Sequence, residues 1–139
     1  MRSAWLLATA LLLAGCATTT TPSSSATPVP PSRIFARDYT RPGEGLALLV
    51  VTRDAGVMLS KACATDLFID GVKVADIEPT EQVRLFVEEG EHLVGVIARG
   101  SVCLAKSSQI TVNVTRAKPF LLRIRSSNGF GIVIEQSAF

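Results

Sequence analysis

Short apolar runs separated by turn residues recur between residues 46 and 135. Leu46–Arg53 is an almost continuous apolar run, which predicts a strand that is either buried on both faces or central in its sheet. Residues 109–115 alternate apolar and polar side chains with a period of two, which predicts a strand with one wet side. Residues 120–125 and 130–135 follow the same alternation. No stretch of this region has a sustained 3.6-residue period with caps, so we expect few or no helices.

Two turn signals organise the middle of the chain. Asp70-Gly71 stands between two apolar arms and predicts a type I′ hairpin, because both central residues of that turn need positive φ. Residues 88–91 contain Gly90 and predict a second hairpin. The four arms are residues 67–69, 72–77, 83–87 and 93–98. We expect these arms to form an antiparallel meander.

Counting the remaining strands gives the fold class. Residues 57–59 are a further short candidate, Asn128-Gly129 predicts another hairpin turn, and residues 33–39 are an irregular lead-in or a short edge element. Seven to nine short strands joined by Gly-, Pro- and Asn-rich turns predict an all-β fold, a small antiparallel β-sandwich over residues 33–139. Two sheets must stack, since one open sheet would leave a broad apolar face in water.

The first 15 residues have the pattern of a signal peptide. Arg2 gives a positive start, and the apolar run at residues 6–13 is too short to span about 30 Å of hydrocarbon as a helix. Leu13-Ala14-Gly15-Cys16 resembles the bacterial lipobox at all four positions. The resemblance implies cleavage before Cys16, a diacylglycerol on its thiol and acylation of the new N-terminus. A soluble secreted protein is the alternative.

The lipobox carries expectations about location. Ala17, in the second position of the mature chain, implies transfer to the outer membrane in a bacterium with two membranes. Residues 17–32 contain only Ala, Thr, Ser, Pro and one Val, so we expect Cys16 and residues 17–32 to form a lipidated, disordered linker. Fully extended, this linker would reach roughly 50 Å.

A weaker resemblance covers about 35 residues of the domain. The segment from Phe68 through Asp70-Gly71 to Val74, followed by Glu89-Gly90-Glu91-His92, resembles the turn pattern of PEGA-like domains in bacterial envelope lipoproteins. A proline often precedes that Gly-Glu-His, and Glu89 replaces it here. The resemblance implies an Ig-like or prealbumin-like sandwich that serves as a structural or adhesive module, with no catalytic residues to transfer.

Cys63 and Cys103 are the two cysteines outside the lipobox. Disulfides persist outside the cytoplasm, where a lipoprotein folds. Each cysteine lies in a polar loop flanking the four arms. We therefore predict a structural disulfide in preference to two free thiols. A redox pair is not favoured, because the sequence has no Cys-x-x-Cys motif.

The composition of the chain argues against several kinds of binding site. A formal net charge of +2 without basic clusters gives no electrostatic footprint for nucleic acid. Three cysteines and one histidine predict no structural zinc or iron–sulfur site, and we expect no cofactor beyond the lipid. His92 is the only candidate general base. Asp66, Asp70 and Asp76 lack calcium-loop spacing, and Asn113 fits a glycosylation sequon that has no expected meaning in a bacterial chain.

The expected function is therefore a lipid-anchored, periplasm-facing structural or interaction module of the envelope, not an enzyme. Lys118, Arg123 and Arg125 form a candidate face for an anionic partner such as peptidoglycan, although a solvated strand face is the simpler interpretation. An exposed sheet edge is a second candidate surface, and an envelope protein a second kind of partner. The alternatives are a cell-wall-directed enzyme or inhibitor using His92, or a small-ligand sensor.

Overall fold

The computed structural model describes residues 20–56, 61–101, 103, 107–127 and 131–138. Nine strands within these ranges form two sheets that pack together, which confirms the predicted small β-sandwich. The strands are β1 (Thr27–Pro28), β2 (Leu46–Arg53), β3 (Ala64–Ile69), β4 (Val72–Ile77), β5 (Glu81–Glu88), β6 (Gly90–Arg99), β7 (Ser107–Val114), β8 (Phe120–Ser127) and β9 (Gly131–Gln136). Two short 3₁₀ helices, Pro31–Arg33 and Arg37–Thr40, precede β2. Within the described residues, no helix has the length and apolar character to cross a membrane.

The strand order places the most apolar strand in the centre. One sheet has five strands in the order β1-β5-β2-β8-β9, and the other has four in the order β4-β3-β6-β7. The pairs β1–β5 and β2–β8 are parallel, and the other pairs are antiparallel. In β2, Leu49 and Val51 belong to the core between the sheets. Val50 is also buried, as expected for a strand covered on both faces.

The core follows from the period-two patterns. In β5, Val83, Leu85 and Val87 are buried, and Arg84 and Glu88 between and after them are exposed. The same alternation in β7 buries Val112 and Val114 and exposes the residues around them. Each sheet therefore has one apolar face, and the stacked faces remove a single cluster of aliphatic side chains from water.

The predicted meander is wrong for β5. The strands β3 and β4 form the expected hairpin, with Asp70 and Gly71 at φ 49° and 82°. β5, however, crosses to the five-stranded sheet and pairs with β1 and β2, and β6 then returns to pair with β3. Gly90, at φ 124°, supports the sharp change of direction between β5 and β6. Turn chemistry marks where a chain reverses and leaves open which sheet it joins.

The expectation that residues 17–32 are disordered is wrong for residues 20–32. These residues belong to an N-terminal strap, residues 20–33, which packs along β5. Thr27 and Pro28 pair in parallel with Glu81 and Gln82. Val29 lies in the core with 5% of its surface exposed. Composition was a poor guide to this segment because backbone pairing needs few apolar side chains, and Val29 supplies its apolar burial.

The strands run between two ends of the sandwich. We call one end the tether end: the strap enters there, β2 and β4 finish, and β5 begins. A hydrogen bond from Thr80 N–H to Arg53 O, at 3.0 Å, joins the start of β5 to the end of β2 there. At the far end lie the Asp70-Gly71 turn and the connection from β5 to β6. The predicted signal peptide, Cys16, the candidate strand at 57–59 and the Asn128-Gly129 turn lie outside the described residues.

Replacing Gly71 by alanine tests the type I′ turn. A Cβ at Gly71 would meet no atom within 4 Å, so only its φ of 82° opposes the substitution. We expect Gly71→Ala to lower the free energy of unfolding by about 1–2 kcal/mol, the cost of a side chain in the left-handed region. Gly95→Ala is the matched control, because Gly95 has no positive φ and its added Cβ would make only ordinary contacts. Urea denaturation measures both, and equal effects would contradict the assignment.

Candidate functional site

A surface cleft of about 340 Å³ lies at the far end of the sandwich. Residues from five parts of the chain line it: Asp38 and Tyr39 from the second 3₁₀ helix, Leu46 from β2, Asp70 from the hairpin turn, Phe86, Val87 and Glu88 from β5, and His92 from β6. Tyr39 and Phe86 are half-buried, so their rings supply apolar wall. Because the lining comes from both sheets, the cleft exists only when the two sheets are packed together.

Asp70 and His92 form a clasp beside this cleft. His92 Nδ1 lies 2.7 Å from Asp70 Oδ2, and His92 Nε2 lies 2.8 Å from the Glu88 carbonyl oxygen. Leu93 N–H donates to Asp70 Oδ1 at 2.8 Å, and Asp70 N–H donates to Leu93 O at 2.9 Å. The β3–β4 turn is therefore tied to the start of β6.

The clasp favours the charged form of both side chains. Burial alone would lower the pKa of His92, but its hydrogen bonds to the Asp70 carboxylate and the Glu88 carbonyl raise that pKa above 6.5. The hydrogen bond from His92, together with the Leu93 N–H, holds the pKa of Asp70 below its usual value. When His92 is protonated, the clasp is a charge-assisted pair.

This geometry restricts what His92 can do. A carbonyl oxygen and a carboxylate are both acceptors, so both ring nitrogens of His92 donate at once only when the imidazole is protonated. An imidazole with both nitrogens committed as donors has no lone pair with which to act as a general base. The arrangement is that of a structural histidine.

Asp66 and Asp76, two carboxylates considered for calcium, meet across β3 and β4. They are occupied by cations of the protein: Lys73 Nζ lies 3.0 Å from Asp66 and 3.1 Å from Asp76, and Arg99 contacts both. Burial raises the pKa of Asp66, but hydrogen bonds from Arg99 and Lys73 outweigh it and lower that pKa to about 2. Asp70 lies apart in the clasp. Among the described residues, no cluster of three potential ligands could hold a metal ion.

The structure separates the three residues of the predicted cationic face. Arg123 and Arg125 lie on one face of β8, but Arg123 Nε is 3.4 Å from Asp54 Oδ1 and Arg125 Nε is 2.8 Å from Glu135 Oε1. Lys118 is exposed in the turn before β8, at the far end. Two of the three charges are therefore neutralised within the protein, and this face presents less free cation than the sequence suggests.

Cys63 and Cys103 are paired, with Cα atoms 5.9 Å apart, as the sequence analysis predicted. The pair joins the loop before β3 to the loop after β6, at the tether end. It therefore connects the two loops that flank the β3–β6 ladder, whose last pair is Ala64 with Arg99. Asn113 is exposed on β7.

Sequence reasoning missed Tyr39 and Phe86 as cleft residues. Tyr39 lies in residues 33–39, for which the sequence predicts either an irregular lead-in or a short edge element. Phe86 occupies an ordinary position of an alternating strand. The Asp70–His92 contact had a partial signal, because both residues stand at turns. No spacing rule, however, relates two turns that tertiary packing brings together.

Comparisons with known proteins do not assign this chain to a family. No protein-family model matches the chain, and no curated protein matches it. The PEGA-like resemblance accordingly stays a prediction from the turn residues.

Substituting His92 tests the clasp through pH. A raised pKa in the folded state means that the clasp contributes its full stability below about pH 6.5 and loses it as pH rises through the folded pKa. We expect His92→Asn to lower the free energy of unfolding by about 1.5 kcal/mol at pH 5.5, the value of one charge-assisted hydrogen bond. The difference from the unmodified protein should shrink at pH 9. A difference independent of pH in denaturant titrations would contradict this.

Proposed function

We propose that this protein is a lipid-anchored module of a bacterial envelope, held through Cys16 at the outer membrane and facing the periplasm. Its role is to bind a partner rather than to catalyse a reaction. The lipobox at residues 13–16 is the observation that carries the proposal. Two or more acyl chains on the processed N-terminus would give stable anchoring, which one chain does not.

Several features of the domain support a binding role. Both ring nitrogens of the single histidine, His92, lie within hydrogen-bonding distance of acceptors of the protein itself, Asp70 and the Glu88 carbonyl. The carboxylates Asp66 and Asp76 each form ion pairs with Lys73 and Arg99. Among the described residues, these charged groups are thus committed to holding the fold, as in a module built for rigidity.

The cleft is the surface that best fits a partner. Its aromatic walls, Tyr39 and Phe86, stand beside the carboxylates of Asp38 and Glu88. Within the described part of the chain, neither of these two carboxylates forms a salt bridge, although the charge of Glu88 helps to raise the pKa of the neighbouring His92. Aromatic faces and carboxylates both attract cations. We therefore propose a basic segment of an envelope protein as the partner, in place of the anionic partner that Arg123 and Arg125 suggested.

Replacing Cys16 tests the anchor. We expect Cys16→Ser to abolish incorporation of radiolabelled palmitate and to release the protein from the membrane fraction, because the thioether site is lost. Ala17→Ser is the control and should remain acylated. Mass spectrometry of the processed N-terminus supplies a second measurement. An unmodified Cys16 in membranes would contradict the proposal.

Crosslinking in intact envelopes tests the binding role against the enzymatic alternative. We expect Tyr39→Ala to reduce capture of the partner severalfold, because it removes one wall of the cleft. Phe35→Ala is the matched control, since Phe35 is an aromatic residue with 52% of its surface exposed outside the cleft. Release of cell-wall fragments by the purified protein, abolished in His92→Asn, would instead establish the enzyme.

A further inference from the structure

The strap is attached to the domain almost from its first described residue. Thr21 N–H donates to Asp54 Oδ1 at 2.9 Å, and both residues are buried. Gln82 Nε2 donates to Ser23 O at 3.0 Å. These contacts place the beginning of the strap against the ends of β2 and β5, at the tether end.

Further along the chain, backbone hydrogen bonds and an arginine–carboxylate pair hold the strap against the domain. Thr27 N–H donates to Thr80 O at 3.0 Å, and Val29 N–H donates to Gln82 O at 2.9 Å. Arg33 makes a two-pronged contact with the Glu81 carboxylate, in which Nη1 lies 2.9 Å from Oε2. Bidentate arginine–carboxylate pairs are among the strongest side-chain hydrogen bonds. Residues 21–33 therefore cannot serve as a free spacer while these contacts hold.

The remaining connection between the lipid and the domain is short. Only residues 17–20 separate Cys16 from Thr21, and a fully extended chain covers about 3.6 Å per residue. The greatest distance between the two Cα atoms is therefore about 18 Å. The eight-residue strands β2, β5 and β8 are longer, at about 26 Å.

We propose that the lipidated protein stands end-on at the bilayer, with its tether end facing the lipid headgroups and the cleft directed away from the membrane. This inference rests on the acylation of Cys16 proposed above. A tether shorter than the domain keeps the Thr21–Asp54 end beside the lipid surface. The Asp70–His92 end then lies at most about 45 Å from the membrane, where it meets soluble or wall-associated partners.

Single tryptophans on acylated protein in liposomes test the orientation. Trp5 is the only tryptophan of the chain and lies in the leader, so the processed protein would contain none. Glu78→Trp places a fluorophore at the tether end, where the Glu78 side chain is 63% exposed and Arg33 keeps its contact with Glu81. Glu91→Trp places one at the far end, at an exposed position of β6. Each variant replaces one exposed carboxylate by tryptophan, and urea denaturation of both checks that loss of the 3.6 Å Arg33–Glu78 contact leaves the domain folded.

Lipids that carry a nitroxide on the headgroup quench nearby tryptophans. We expect these lipids to quench the tryptophan at position 78 several-fold more than the one at position 91. A 16-residue Gly/Ser insertion between residues 19 and 20 should remove the difference, because it restores a long tether. Equal quenching without the insertion, in protein shown by mass spectrometry to be acylated and by flotation to be bound, would overturn the orientation and indicate that the domain lies on its side. Absence of the acyl group would instead overturn the proposed function.

Discussion

The fold depends on the packing of its two sheets against each other, because this packing removes the apolar face of each sheet from water. Each sheet has an alternating pattern that places aliphatic side chains on one side, and neither sheet could bury that side alone. Leu49, Leu67, Ile69, Leu85 and Ile124 are all fully buried in the shared layer. Burying such side chains is the main favourable term in folding, at roughly 25 cal/mol per Å² of apolar surface. The crossings of the chain between sheets, the cleft at the far end and the position of the strap all follow from this packing.

Charged side chains lie at the two ends of that buried layer. Arg53 is buried at the tether end, where its Nη1 donates to Ile77 O at 2.7 Å. Burial lowers the pKa of Arg53 to about 10, with partial compensation from Glu78 and Glu81. At the far end, the Asp70–His92 clasp has a similar role on a smaller scale. Removing the carboxylates near the buried Arg53 would leave its charge uncompensated, whereas the Asp70 side chain of the clasp is 47% exposed and its pairing stabilises the fold less.

The sequence predicted local structure well and long-range assembly poorly. Period-two alternation in residues 109–115 and the Asp-Gly turn identified strands and a hairpin, because both signals are read from neighbouring residues. The position of β5 in the other sheet depends on pairing with β1 and β2, which are distant in the sequence, and no local pattern records it. The strap was missed for a related reason: its attachment uses backbone groups of Thr27 and Val29 that composition does not describe. The cleft was missed because its walls come from five separate parts of the chain.

The direction in which the strap pairs with β5 has a mechanical consequence. The chain enters at the tether end and β1 runs parallel to β5, so a pull on the N-terminus acts along the strand axis. Such a load shears the β1–β5 pairing and the Arg33–Glu81 contact together, whereas a pull across the strands would open them one at a time. A module fixed to a membrane at one end and to a partner at the other would therefore resist tension through all these contacts at once.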